Sequence, residues 1–166
     1  MSEAHILLVD SDPRSLANLA ACFNNDPGIQ VHTASNADEA MLALRDEGER
    51  FDLLILDSLI PERGALGLPQ RIKADRRLAT IPIILQTPGQ PTTDDLRDAT
   101  AAGAYHFLVM PASHDSVLAV VHATLAKSSF RNALRRQMKA QADQPEQLTN
   151  CEFSIRTLEE AGELAA

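Results

Sequence analysis

The sequence predicts a doubly wound α/β domain, with five parallel strands, helices on both faces and a long last helix. Three observations carry this. Short apolar runs alternate five times with stretches of helical period. The runs are apolar almost throughout, as strands buried on both faces are. Several end in acids or hydroxyls, Asp10, Asp57 and Thr87 among them, at the carboxyl edge where such sheets bind ligands.

The elements follow in order. Ile6-Leu7-Leu8-Val9 is the first strand and stops at Asp10. Leu16, Leu19, Ala20 and Phe23 recur at helical spacing, and Pro27-Gly28 makes a turn. Ile29 to Ala34 is the second strand. Asn36 with Glu39 three residues later opens a helix buried through Ala37, Ala40, Met41 and Leu44. Phe51 to Leu56 is the third strand, closed by Asp57. A loop from Ser58 to Leu66 contains Pro61 and Gly64. Pro69 must lie in the first turn of the next helix, because deeper it would remove a hydrogen bond and clash. Ile81 to Leu85 is the fourth strand, and Pro88-Gly89-Gln90-Pro91 a loop. Thr92 or Thr93 caps a helix ending near Gly103, and Tyr105 to Val109 is the fifth strand. Ser113 caps the last helix, whose apolar face is Leu118, Val121, His122 and Leu125.

Composition narrows the function classes. The chain has 166 residues, 45% hydrophobic and 23% charged, enough for one cored domain and an appendage. No apolar run reaches the ~18 residues of a membrane span. The amino terminus lacks the basic start of a signal peptide. Cys22 and Cys151 are far apart without metal-type spacing, which suits a reducing cytoplasm. Residues 1–126 hold 9 basic against 17 acidic residues, giving −8, so this part disfavours nucleic-acid backbones. No acid occurs between Ser116 and Ala142, whereas Lys127, Arg131, Arg135, Arg136 and Lys139 all do. Such a patch is more often a solvated face, or a dock for an acidic partner, than a nucleic-acid site.

If the sheet order is 2-1-3-4-5, strands one and three are neighbours ~4.8 Å apart, and Asp10 and Asp57 converge at one edge. Two carboxylates that close need a cation, or one keeps its proton.

These residues resemble the receiver domain of two-component response regulators, over Ala4 to about Leu125. The motifs are Ile6-Leu7-Leu8-Val9-Asp10, Phe51 to Asp57 with Pro61 following, Ile81-Pro82-Ile83-Ile84-Leu85-Gln86-Thr87, and Gly103-Ala104-Tyr105-His106-Phe107 leading to Met110-Pro111. The resemblance implies a flavodoxin-like three-layer sandwich. It implies phosphoryl transfer from a histidine kinase or phosphotransfer protein, with no enzymatic turnover beyond the chain's own modification. Asp57 falls on the phospho-acceptor. Asp10, Asp57 and the Leu59 carbonyl fall on Mg²⁺ ligands, Thr87 on the phosphoryl-following hydroxyl and Phe107 on the aromatic switch. Met110-Pro111 falls on a Lys-Pro pair whose peptide bond is usually cis.

Two departures matter. Ser11 stands where the second paired acid is a direct Mg²⁺ ligand, and Met110 stands where the lysine does. A milder one is Gly64-Ala65 in place of Asp-Gly. An aspartyl phosphate adds up to about two negative charges. Its lysine partner supplies a charge-assisted bond worth ~1.5–3 kcal/mol. Mg²⁺ binding is therefore expected to be weak or absent. The alternative is a phosphorylation-independent pseudo-receiver that docks or dimerises.

Other chemistries fit less well. Asp10-Ser11-Asp12 also looks like the opening of haloacid-dehalogenase-type phosphatases, but Arg14 stands where Thr or Val belongs. A flavodoxin-type FMN binder would want a neutral or hydroxyl-rich phosphate loop, not an acidic one. About forty residues after the receiver are too few for a usual winged helix. His5, His32, His106, His114 and His122 lack metal-ligand spacing. Phe130, Leu134 and Met138 read as a packing stripe rather than a cofactor box.

The organisation expected is a receiver over 1–126, an extension of the last helix over 127–141, a linker over 142–150, and 151–166 as the start of a further, truncated domain. That last piece carries Cys151 to Arg156 as a strand and a Thr157–Glu160 helix start. Phe153 to Ala161 resembles the opening of histidine-kinase-like ATPase domains of the anti-sigma-factor kind. A homodimer is expected, through the last helix or the face made by helix four, strand five and helix five.

Overall fold

A computed structural model describes residues 3–47, 50–60 and 67–142. The chain runs β1 (Ala4–Val9), α1 (Pro13–Ala21), β2 (Ile29–Ala34), α2 (Ala37–Glu47), β3 (Leu53–Asp57), α3 (Gly67–Ala74), β4 (Ile83–Pro88), α4 (Thr93–Ala101), β5 (His106–Met110) and α5 (His114–Ala142). The sheet is parallel, in the order β2-β1-β3-β4-β5. Expected features over residues 61–66 and 143–166, including Pro61, Gly64 and the ATPase-like segment, lie outside the described residues.

Strand period two sorts the core into two layers. Leu7, Val9, Leu54, Leu56, Ile83 and Leu85 belong to one cluster, with Ala40, Leu44, Ile72 and Ala99 of α2, α3 and α4. Ile6, Leu8, Leu53, Ile55, Ile84 and Leu108 belong to the other, with Leu19 of α1 and Val117 and Val121 of α5. Each strand residue is thus assigned a face by its parity.

The caps explain where the helices start. Asp12 accepts the Arg14 N–H at 3.0 Å, and Pro13 occupies the first turn of α1, where no N–H is needed. Asn36 accepts the Glu39 N–H at 2.8 Å, but Glu39 reaches back to Ser35 rather than to Asn36. Those Ser35 bonds hold its carboxyl below the usual carboxylate range. Thr92, not Thr93, caps α4 in a reciprocal box with Asp95. Pro69 lies in the first turn of α3.

Three strands start later than the apolar runs do, at Leu53, Ile83 and His106, and the same three reach further than expected, to Asp57, Pro88 and Met110. Pairing sets these limits: Leu53 is level with Ile6 of β1, and His106 with Ile84 of β4. The last helix also departs from expectation. Its buried stripe is Val117, Val121, Thr124 and Ser128. His122 is turned outward, 56% exposed, with Nε2 2.7 Å from Asp26 Oδ2. One residue beyond Val121 is a turn of ~100° about the axis, which carries it off the stripe. His5 and His32 are strand residues, as expected, and their rings meet at 3.1 Å between Nδ1 and Nε2.

The chain divides into two units between Ser128 and Ser129. In the second, Phe130, Leu134 and Met138 are exposed by 72%, 46% and 63%. No helix among the described residues is long and apolar enough to cross a membrane.

Candidate functional site

Parity places the site. Val9, Leu56 and Leu85 face α2, α3 and α4. The next residue on each strand, Asp10, Asp57 and Gln86, therefore falls on the α1/α5 face. Asp57 and Gln86 are register partners. Asp10 follows Val9, the register partner of Leu56. Three polar groups thus stand level in one row, near the carboxyl ends of three adjacent strands.

Asp10 is 3% exposed. Its Oδ1 accepts the Asp12 N–H at 2.8 Å. Its Oδ2 lies 3.5 Å from Gln86 Nε2, which is 3.1 Å from Ser15 Oγ on α1. Asp57 is half-buried and accepts the Leu59 N–H through Oδ1 at 3.2 Å. Burial pushes its carboxyl above the usual range, the Leu59 N–H opposes this, and the charges of Asp10 and Asp12 add to the rise. The two strand-end carboxylates therefore feel each other. Among the described residues no cationic side chain forms an ion pair with either.

The remaining predicted residues surround this pair. Ser11 is exposed. Thr87 Oγ1 points to the Gly89 carbonyl at 3.5 Å, and Gly89 has φ +99°, a conformation glycine tolerates. Thr87, Phe107, Ser58 and Leu59 line a cleft of about 280 Å³ that continues to Pro91 and Asp95. Met110 packs against the α1/α5 cluster, and the Met110–Pro111 peptide is cis.

The chemistry of the donor set fits a hard cation. Asp10, Asp57 and the Leu59 carbonyl would offer a cation only oxygen, the donor Mg²⁺ prefers. Among the described residues no group of three His, Cys, Asp or Glu side chains is placed to hold a metal. The roles of Gln86, Ser15 and Asp12 were not legible beforehand. The one signal was a glutamine at an inward position of an otherwise apolar strand.

The model of the response regulator receiver domain matches residues 6–122. The transcriptional regulatory protein GltR of Pseudomonas aeruginosa is 31% identical over 125 residues, which are 75% of this chain and 50% of GltR; the chain thus spans half the length of that relative. Protein PilH of the same organism is 27% identical over 123 residues, 74% of this chain and 98% of PilH. Among solved structures, the signal receiver domain of an HD domain-containing protein from Pseudomonas fluorescens superposes with a TM-score of 0.68 at 26% identity, covering 76% of this chain and 98% of that one. Chemotaxis response regulator CheY4 of Vibrio cholerae shares the fold, with a TM-score of 0.67 at 22% identity over 74% of this chain and 99% of its own. The strand order, the row of strand-end carboxylates and these matches together place the chain in the response regulator receiver domain family.

Proposed function

We propose that the chain is a phosphorylation-dependent signalling module in which Asp57 accepts a phosphoryl group from a histidine kinase or phosphotransfer protein. The observation that carries this is the pairing of half-buried Asp57 with fully buried Asp10 at the ends of adjacent strands. A carboxylate oxygen of Asp57 forms the new O–P bond as the N–P bond of the donor histidine breaks, and the imidazole keeps the electron pair and takes a proton. Transfer of this kind depends on positioning and charge neutralisation more than on covalent help. Asp10, Asp57 and the Leu59 carbonyl would hold Mg²⁺, which when bound neutralises charge on the transferred group. The Leu59 N–H fixes the Asp57 rotamer. Thr87 and Phe107, on the shared cleft, would read the modified state.

Ser11 and Met110 favour a second reading, a pseudo-receiver that docks without phosphorylation. The site has one carboxylate fewer for the cation, and Met110 gives no ammonium. In either case the chain acts in the cytoplasm and works through protein contacts. A second copy, paired through α5 or through the α4–β5–α5 face, is the leading partner, and a catalytic domain beyond α5 is a further one.

Incubation with acetyl phosphate and Mg²⁺, followed by intact-mass measurement, separates the readings. A gain of one phosphoryl group in the wild type that disappears in Asp57→Ala is expected. An unmodified wild type leaves the docking module.

A further inference from the structure

Gln86 is the buried polar side chain at the strand ends that the receiver chemistry does not use. It is 6% exposed, on a face otherwise built from residues such as Ile6, Leu8, Ile55 and Ile84. Its backbone carbonyl accepts the Ser58 N–H at 2.8 Å, fixing the residue after Asp57. Its side chain does something a β4 residue need not do. Strand β4 is separated from β1 by β3, so reaching Asp10 takes the amide across the strand that ends in Asp57.

The amide nitrogen carries two protons. One is directed at Ser15 Oγ, 3.1 Å away, and the other at Asp10 Oδ2, 3.5 Å away at the long end of a hydrogen bond. The other Asp10 oxygen is already bonded to the Asp12 N–H. An apolar side chain at position 86 would pack equally well against the α1/α5 cluster, but Asp10 Oδ2 would lose its side-chain donor and the carboxylate would be held from one side only.

With Asp57 and Asp10 as the cation-holding pair of the reading above, we propose that Gln86, anchored by Ser15, is a positioning residue that orients the Asp10 carboxylate for a divalent cation. The amide is neutral, so it fixes the anion without competing with the cation for the charge. Gln86 therefore suits a pocket that keeps Asp10 and Asp57 and has no ammonium from position 110. Outer-shell partners of ligating carboxylates typically change metal affinity by 10–100-fold.

The test is a calorimetric titration with Mg²⁺, repeated with Mn²⁺, on the full chain as wild type, Gln86→Leu, Ser15→Ala and the double variant, with thermal melts alongside. Gln86→Leu should raise the dissociation constant about tenfold. It should likewise raise the Mg²⁺ concentration for half-maximal phosphoryl uptake from acetyl phosphate, while the rate at saturating Mg²⁺ stays within about twofold of wild type. Ser15→Ala should move both constants the same way, and the double variant should be no worse than Gln86→Leu, since the two act through one bond chain. Should Gln86→Leu fail to fold, Ser15→Ala carries the test. Unchanged cation affinity in a folded Gln86→Leu, or in Ser15→Ala if that variant must stand in, overturns the role of Gln86 and leaves the receiver reading intact. A wild type that binds neither cation and takes no phosphoryl group removes both.

Discussion

Asp57 lies beside Asp10 at the ends of neighbouring parallel strands, and its carboxyl is held above the ordinary range by burial first and then, against the Leu59 N–H, by the charges of Asp10 and Asp12. The group that would do the chemistry is therefore a local cost to the fold. Because its value is raised in the native state, Asp57 favours folding fully below the ordinary carboxyl range of about 4, and that contribution is lost as pH rises through the raised value. Asp57→Asn should raise the melting temperature at pH 7 by a few degrees, and the gain should vanish below about pH 4. Melts at the two pH values check this; a variant less stable than wild type at pH 7 contradicts it.

Met110 tests the missing charge. It is half-buried against the α1/α5 cluster, on the face that carries Asp57. Met110→Lys should raise the rate of phosphoryl uptake about tenfold, for a charge-assisted bond worth at least ~1.4 kcal/mol. Time courses by intact mass read the rate. An unchanged or lower rate would show that the ammonium cannot reach Asp57 from β5.

A second cation has a purely architectural use. Lys73 Nζ on α3 donates to the carbonyls of Ala79 and Ile81 at 3.0 and 2.7 Å, fixing the segment that leads into β4. Gly103, at φ +86°, packs on the same side chain: a Cβ there would stand 2.8 Å from Lys73 Cγ. Lys73→Ala should cost ~1.5–3 kcal/mol through the charged bonds. Gly103→Ala should cost ~1–2 kcal/mol from the left-handed backbone alone, and more in wild type than in Lys73→Ala, where the clash is relieved. Urea midpoints of the double-mutant cycle measure this; strict additivity would remove the contact from the account.

The exposed stripe Phe130, Leu134 and Met138 bears on the partner. Residues 127–142 hold five cations and no acid. Two copies paired in parallel through this stretch would set five charges against five. Such a dimer should tighten as salt rises from about 0.1 to about 1 M, where the screening length falls from ~10 to ~3 Å. Leu134→Glu should abolish it. Sedimentation at two salt concentrations reads both, and a dimer indifferent to Leu134→Glu is paired through the α4–β5–α5 face.

Much of this was legible because strand parity is local. Ile6 to Asp10 and Leu53 to Asp57 alternate faces on their own, so two acids one step beyond the last apolar residue must share a side once their strands are neighbours. The same rule, applied to Ile83-Ile84-Leu85, puts Gln86 on that side too. It does not tell that a glutamine will cross a strand to Asp10. On the last helix Leu118, Val121 and Leu125 pack on the α1/α5 cluster as expected, and His122 alone departs, because the most buried stripe runs through Val117 and Thr124.

The sequence by itself determined the order of elements, the faces of the strands, the cap at Asn36 and the two carboxylates at the carboxyl edge, since each follows from spacing within a few residues. Only the tertiary structure decided that Thr92 rather than Thr93 caps α4, that Gln86 reaches Ser15 and Asp10, that Lys73 braces the lead into β4, and that His122 meets Asp26. The long-range ones join side chains 71 to 96 positions apart, and their geometry is set by packed elements rather than by any local period.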